Sequence, residues 1–345
     1  MAESAELSAR RASLVHVSDD MPGITRRRAG RGFAYRAPDG RPLRQGETMD
    51  RIRTLAIPPA WTDVWICPDP DGHIQATGRD ARGRKQYRYH PRWAECRDEV
   101  KYSSLADFAR ALPALRRHVD ADLRRRGLDF ERVVASVVWL LDNTMIRVGN
   151  AGYARENGSF GLTTLRDRHV DIDGTTVRFA FKGKSGKEWR LKLVDRRIAR
   201  IVKDVQDIPG QHLFQYFDEE GRRRPVRSQD VNDYIRDCSD VAFSSKHFRT
   251  WGGTLRALLL FGAMERPETK RGRALAANEV VDRVAAALGN TRAVCRRCYI
   301  HPAVFDQWEE GSLRARLSEA RRGLRKVPDG LDEAEMLAMR WLDRL

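Results

Sequence analysis

Residues 170–194 read VDIDGTTVRFAFKGKSGKEWRLKLV, and the fold is decided there. Val170 and Ile172 alternate with polar residues, and Asp173-Gly174 is a hairpin turn. Val177, Phe179 and Phe181 then share one face. Gly183 to Gly186 makes a second turn, after which Trp189, Leu191 and Leu193 return. The period of two predicts a short three-stranded antiparallel meander. On both sides the period is helical. Upstream, Ser104 stands at the cap position before Leu105, Phe108, Leu112 and Leu115. Asp129 stands likewise before Phe130, Val133, Val134, Val137, Val138 and Leu141, on a run that continues toward Ile146. Downstream, from about 195 to the end, the chain reads as mostly helix. Residues 101–345 therefore read as a mainly α domain with a three-stranded antiparallel sheet inserted.

Farther out, residues from about 33 to 100 are rich in Pro, Gly and aromatics. Val64-Trp65-Ile66 and His73 to Thr77 look like short strands, with Pro68-Asp69-Pro70-Asp71-Gly72 as the turn between them. A small β-rich N-terminal domain over 31–100 is expected, giving an α+β chain. Residues 1–30, with Arg26, Arg27 and Arg28 close to Gly30, Arg31 and Gly32, read as a basic flexible tail.

The chain has 345 residues, 41% hydrophobic and 32% charged, enough apolar content for a core and too much for a disordered chain. Its 64 Lys+Arg against 48 Asp+Glu give a net charge of +16, which points to a polyanion such as nucleic acid. The longest apolar run, Ala257 to Met264, has the length of a core helix segment and does not span a bilayer. No secretory signal is visible, so a cytoplasmic, nucleoid-associated protein with reduced cysteines is expected. Cys295 and Cys298 form a CxxC, read as two thiols on a helix ahead of half a zinc site or a redox pair. Gly183-Lys184-Ser185 mimics the end of a P-loop, but Arg178 stands where the first glycine belongs. HExxH is absent, and Asp69, Asp71, Asp171 and Asp173 lie in turn-like settings that explain them without a metal. No metal and no cofactor are expected.

Two sets of residues carry chemistry. Residues 78–90 combine Arg79, Arg82, Arg84, Lys85, Arg88 and His90 with Gln86, Tyr87 and Tyr89 around the single acid Asp80. Lys and Arg neutralise phosphates, Gln can bond adenine in the major groove, and Tyr can pack on sugar or donate to phosphate. In the larger domain, Arg147 ends an apolar helix, where it can satisfy the last carbonyls. Lys184 sits at a hairpin tip, Arg249 just before a very apolar helix, and Tyr299 after Arg296-Arg297-Cys298. Each alone has an ordinary structural reading. Together they suit attack of a tyrosine oxygen on a phosphodiester. Two guanidiniums would grip the non-bridging oxygens, and a lysine would protonate the leaving oxygen.

With Ile146 to Asn150, Tyr153 to Leu165, Phe181 to Lys184, Lys246 to Gly252, Gly289-Asn290-Thr291 and Tyr299 in this order after residues 78–89, the chain resembles the poxvirus-like type IB DNA topoisomerases of bacteria. The resemblance covers nearly everything after the basic tail. It implies a two-domain clamp on duplex DNA, hinged near 98–106. It also implies ATP-independent relaxation of positive and negative supercoils by nicking, strand rotation and religation. It makes Tyr299 the nucleophile that becomes linked to a 3′-phosphate, with Arg147 and Arg249 on the scissile phosphate and Lys184 as general acid toward the 5′-oxygen. Arg82, Arg84, Lys85, Gln86, Tyr87, Tyr89, Tyr153 and Lys246 are the implied DNA contacts. Asn290 departs from the family's common histidine; it can donate a hydrogen bond to phosphate but cannot exchange a proton.

The alternative, a tyrosine site-specific recombinase, uses the same type of chemistry. The β-rich N-terminal domain and the basic-aromatic segment favour the topoisomerase. A non-catalytic DNA-binding protein has no use for the full Arg, Lys, Arg, Tyr set. One chain holds every catalytic part, so a monomer suffices, and the expected partner is double-stranded DNA rather than a membrane. Protein partners are not legible.

Overall fold

A computed structural model describes residues 6, 9, 10, 12–239, 243–324 and 326–345, with the side chains of 94, 97–100, 153 and 185 outside the description. The chain divides into two compact units, Met1–Ser103 and Ser104–Leu345.

The first unit is built on a six-stranded antiparallel sheet of order β3-β2-β1-β4-β5-β6. Its strands are β1 (Ile24–Ala29), β2 (Gly32–Arg36), β3 (Pro42–Leu43), β4 (Thr62–Ile66), β5 (Ile74–Arg79) and β6 (Lys85–Tyr89). One face is packed under the helix Glu47–Thr54, whose Met49 and Ile52 meet Ile24, Val64, Ile66 and Ala76. Side chains on a strand alternate between faces, so the neighbours Thr25, Trp65, Thr77 and Tyr87 line the opposite, outer face. Register confirms it: Thr25 pairs Trp65, Trp65 pairs Thr77, and Thr77 pairs Tyr87.

The tail expected over 1–30 is corrected here. Ile24–Ala29 is a strand, paired with β2 from Thr25 to Ala29. Phe33 and Tyr35 give this hairpin an apolar side that the arginine run conceals, and the Arg26 guanidinium lies 4.1 Å from the Phe33 ring centroid. The preceding residues are also tied down. Val15 N–H donates to the Asp71 carbonyl (2.9 Å), Val17 N–H donates to His73 Nδ1 (3.1 Å), and Trp65 Nε1 donates to the Met21 carbonyl (2.8 Å). The basic segment 78–90 is largely strand: Lys85–Tyr89 forms β6, the sheet edge.

The second unit is helical. Its long helices are Leu105–Leu123, Phe130–Thr144, Ser245–Ala263 and Lys270–Leu288. Ser245–Ala263 is central and packs on the other three and on Pro302–Glu310, Leu313–Arg321 and Glu333–Leu342. Asp129 caps its helix as expected, its carboxylate accepting the Arg132 N–H at 2.9 Å. Ser104 occupies the cap position of Leu105–Leu123 but makes no side-chain cap bond, because its own backbone is already helical. The meander is present as β7 (Val170–Asp173), β8 (Thr176–Lys182) and β9 (Glu188–Val194), with Val177, Phe179 and Phe181 buried on one face. A ribbon of β10 (Gln215–Phe217) and β11 (Arg223–Pro225) was not foreseen; three-residue strands are too short to show a period. Among the described residues no helix is long and apolar enough to cross a membrane.

Candidate active site

Four segments of the helical unit converge. The helix Phe130–Thr144 stops at Met145, whose left-handed backbone (φ 55°) turns the chain outward. Arg147 follows, and the segment is held by Leu162 N–H donating to the Arg147 carbonyl (2.9 Å) and Thr163 N–H to the Val148 carbonyl (2.7 Å). Lys270–Leu288 ends at Gly289 in the left-handed region (φ 58°), which delivers Asn290. The short helix Arg292–Cys298, capped by Thr291, delivers Tyr299, whose N–H donates to the Cys295 carbonyl at 3.0 Å. Arg249 comes from the first turns of Ser245–Ala263. On that helix a Cβ at Gly253 would lie 2.4 Å from the Tyr299 carbonyl oxygen, so only glycine admits the tyrosine backbone so closely.

The side chains meet around the phenol. Arg147 Nη1 donates to Tyr299 Oη at 3.0 Å, and Arg147 Nη2 donates to Asn290 Oδ1. The Arg249 guanidinium carbon is 5.0 Å from the Tyr299 ring centroid. Arg249 is 3% exposed. It donates to the Met145 carbonyl and, at 2.7 Å, to the Leu288 carbonyl, and so anchors the C-terminal ends of two helices. The structural role that the sequence offers for Arg147 is thus filled by Arg249, whose charge lies at the negative ends of two helix dipoles.

Burial, and then the like charge of Arg147, push the Arg249 pKa down to about 10, so it stays protonated at neutral pH. For Tyr299, burial acts to raise the pKa, but the Arg249 and Arg147 cations outweigh it and hold the phenol below its ordinary value. Two buried donors at this spot have no acceptor among the described residues: Arg249 Nε and Asn290 Nδ2. Asn290 Oδ1 is taken by Arg147, so its NH2 group faces the site as a donor. Buried donors without acceptors are costly, and here they stand beside two guanidiniums and a hydroxyl. An oxyanion such as a phosphodiester is the kind of acceptor that such a cluster of donors suits.

Lys184 is exposed on the β8–β9 turn. Trp189 ties that turn to the site. A Cβ on Gly183 would lie 2.8 Å from Trp189 Cδ1, and one on Gly289 would lie 2.6 Å from Trp189 Cε2, so the indole is wedged between the lysine turn and the corner carrying Asn290. The sequence reading missed this role, taking Trp189 for a strand residue; its one signal was glycine beside each of two site residues.

In the first unit, Tyr87 and Tyr89 are stacked at 5.8 Å and are 42% and 47% exposed. Arg84 Nε and Gln86 Nε2 both donate to Asp80 Oδ2 (2.8 and 3.0 Å), and Asp80 is pulled down to about 2, mainly by Arg84. Lys85 Nζ is 2.7 Å from Asp19, a partner the sequence reading overlooked in its supposed tail. Arg82 is exposed, as is Lys246 in the helical unit. Tyr153 lies on the helix Ala151–Asn157, with its side chain outside the described residues. Cys295 is buried, which raises its pKa to about 12, and Cys298 is half-buried on the same helix. Asp171 and Asp173 pair with Arg178. No metal-binding cluster occurs among the described residues.

Residues 90–322 match the family model described as eukaryotic DNA topoisomerase I, catalytic core, and residues 32–80 match bacterial DNA topoisomerase IB, N-terminal domain. The chain is similar to DNA topoisomerase 1B of Acanthamoeba polyphaga mimivirus, 32% identical over 287 residues, covering 81% of this chain and 85% of that one. It is also similar to DNA topoisomerase 1B of Vaccinia virus (strain Copenhagen), 23% identical over 239 residues, covering 66% and 70%. A third relative, DNA topoisomerase 1 of Mycosarcoma maydis, is 25% identical over 176 residues, 46% of this chain and 17% of that one.

Proposed function

The chain belongs to the type IB DNA topoisomerases, isomerases that relax DNA, and from that premise we propose that Tyr299 is its nucleophile. The phenol oxygen, its pKa lowered by the two arginines, loses its proton to water and attacks the scissile phosphorus. A bond from Tyr299 Oη to phosphorus forms, the bond to the 5′-oxygen breaks, and the DNA is held as a 3′-phosphotyrosine. Arg147 and Arg249 grip the non-bridging oxygens and stabilise the charge that grows on them. Asn290 Nδ2 adds a hydrogen bond. Lys184 gives its proton to the departing 5′-oxygen and recovers it when that hydroxyl attacks to reseal the strand. The phosphodiester is conserved as a phosphotyrosine ester, so religation needs no ATP. The observation that carries this reading is the pair of orphaned buried donors, Arg249 Nε and Asn290 Nδ2, beside a tyrosine already bonded to Arg147.

The helical unit is thereby the catalytic domain and the sheet unit a DNA-binding domain. Tyr87, Tyr89, Gln86, Arg82, Arg84 and Lys85 on the sheet, and Tyr153 and Lys246 on the helical unit, contact duplex DNA. One chain carries the whole site, so the active species is a monomer working on chromosomal DNA in the cytoplasm. The test is relaxation of positively and negatively supercoiled plasmid in EDTA without ATP. Wild type is expected to relax both, and Tyr299→Phe to relax neither while still binding DNA. A Tyr299→Phe enzyme that relaxes plasmid would overturn the assignment.

A further inference from the structure

The tip of the β1–β2 hairpin extends beyond the strands that flank its base. β4 pairs with β1 only at Ile24 and Thr25, whereas β1 pairs with β2 from Thr25 to Ala29. Beyond Thr25 no strand pairs with the ribbon's β1 side among the described residues, and only the Arg26 guanidinium ties it down, donating to the Ile57, Pro58 and Trp61 carbonyls (3.2, 3.0 and 2.7 Å). Its turn carries Gly30 (φ 56°) and Arg31. Arg27, Arg28 and Arg31 are exposed, and among the described residues no ion pair or hydrogen bond engages their side chains. Elsewhere in this unit several basic residues have acidic partners, Arg53 with Asp50, Arg79 with Asp63, Arg84 with Asp80, Lys85 with Asp19 and Arg92 with Asp71, while Arg44 and Arg82 are exposed without one among the described residues.

Register fixes where these arginines point. Thr25 is in line with Trp65, Thr77 and Tyr87 on the outer face, and residues two apart on a strand share a face. Arg27 therefore lies on the face that displays Tyr87 and Tyr89. Arg28 lies on the other face, with Phe33 as its cross-strand partner. The middle of the outer face is covered, since Asp19 accepts from Thr77 Oγ1 (2.9 Å) and Met21 accepts from Trp65. What the face leaves uncovered is the tyrosines on the edge strand β6 and Arg27 on β1, with β2 and β3 lying beyond β1. Three strand spacings of roughly 4.8 Å, with two residues of roughly 3.3 Å along the strand past the Thr25–Tyr87 row, put Arg27 about 16 Å from Tyr87, and Arg31 lies farther out in the turn. The major groove of B-DNA is about 12 Å wide.

We propose that the β1–β2 arm is a second DNA contact of this sheet, in which Arg27 and Arg31 neutralise phosphates of the duplex backbone across one groove from Tyr87 and Tyr89. Crowded arginines without counter-charges repel one another in the free protein, and a phosphate backbone relieves that repulsion. The contact is to backbone and carries no base preference. The proposal rests on the reading that the Tyr87 face meets DNA.

The experiment measures duplex binding against salt for the full chain carrying Tyr299→Phe, alone and with Arg27→Gln/Arg31→Gln, with Arg28→Gln, or with Tyr87→Ala. Each lost phosphate contact lowers the slope of log K against log salt by about 0.9, so the double variant should lose about 1.8. Arg28→Gln should change the slope much less. Thermal unfolding curves that superimpose exclude a folding defect, and a cysteine at position 31 bearing a photo-crosslinker should label DNA. An unchanged slope for the double variant, with Tyr87→Ala still weakening binding, overturns the arm and leaves the face standing. If Tyr87→Ala also binds normally, the face itself is wrong. A slope loss of about 0.9 for Arg28→Gln, a full phosphate contact, overturns the register argument.

Discussion

Asn290 offers its carbonyl oxygen to Arg147, so its NH2 group is left as a buried donor without an acceptor. In the proposed reaction this makes it a fixed hydrogen-bond donor to a phosphate oxygen, with no proton transfer asked of it. Asn290→Ala should slow single-turnover cleavage by about 10²- to 10³-fold, the usual cost of losing one oxyanion donor, with DNA affinity nearly unchanged. A loss of affinity that matches the loss of rate would make Asn290 a binding group instead. Tyr299 lies below the ordinary phenol pKa because two guanidiniums outweigh its burial. Removing one of them with Arg147→Ala raises that pKa. The rising limb of the cleavage rate should therefore move to higher pH, beyond the general drop in rate, and a limb that stays put would show that Arg147 does not tune the phenol. At this scale the sequence named Arg147, Arg249, Asn290 and Tyr299, which the structure brings together, but it could not reveal which arginine holds helix ends and which holds the phenol. That depends on which carbonyls are left over when three helices end together.

Elements do their work at their ends. The β8–β9 turn carries Lys184, the corner after Lys270–Leu288 carries Asn290, and Trp189 is lodged between them against Gly183 and Gly289. Its ring also stacks with Phe181, centroids 6.0 Å apart. Trp189→Ala should loosen the lysine turn and slow cleavage, while a substrate whose 5′-bridging oxygen is sulfur, which leaves without a proton, recovers most of the rate. No recovery would mean the tryptophan positions something other than Lys184. The period-two pattern of 170–194 was readable because that sheet has one buried face. The arginine hairpin at 24–36 was not, since its polar side dominates the letters and its pairing partners are supplied by distant β4 and by β3.

The helix bearing Arg249 is also held at the level of the whole catalytic unit. Arg116 donates to both oxygens of Asp142 (2.7 and 3.0 Å) and of Glu335 (2.7 and 2.8 Å), and Trp251 Nε1 is 3.4 Å from Glu335. This joins Leu105–Leu123, Phe130–Thr144, Ser245–Ala263 and the last helix, Glu333–Leu342. Burial acts to raise the Glu335 pKa, but Arg116 outweighs it and the net shift is downward. A depressed carboxylate lends stability that is complete above its unfolded value and is lost as pH falls through the folded one. Asp142 runs the other way: burial dominates, its pKa is raised, and it takes up a proton first on acidification. Glu335→Gln should destabilise the protein by roughly 2–3 kcal/mol near neutral pH, with the deficit shrinking in acid. A constant deficit in denaturant titrations across that range would exclude the charged pair as its source.

The sequence alone determined the β-rich and mainly α division in outline, the three-stranded meander at 170–194, the polyanionic partner and the family, because period, turn residues and charge are local properties written in consecutive letters. Only the tertiary structure decided that residues 24–29 are a strand, that Lys85 is matched by Asp19, and that Arg249 is the buried helix anchor. It alone showed that two donors beside Tyr299 are left without acceptors. Those are facts about which groups remain unpaired once the chain is packed, and pairing between residues tens of positions apart leaves no mark in any single stretch of sequence.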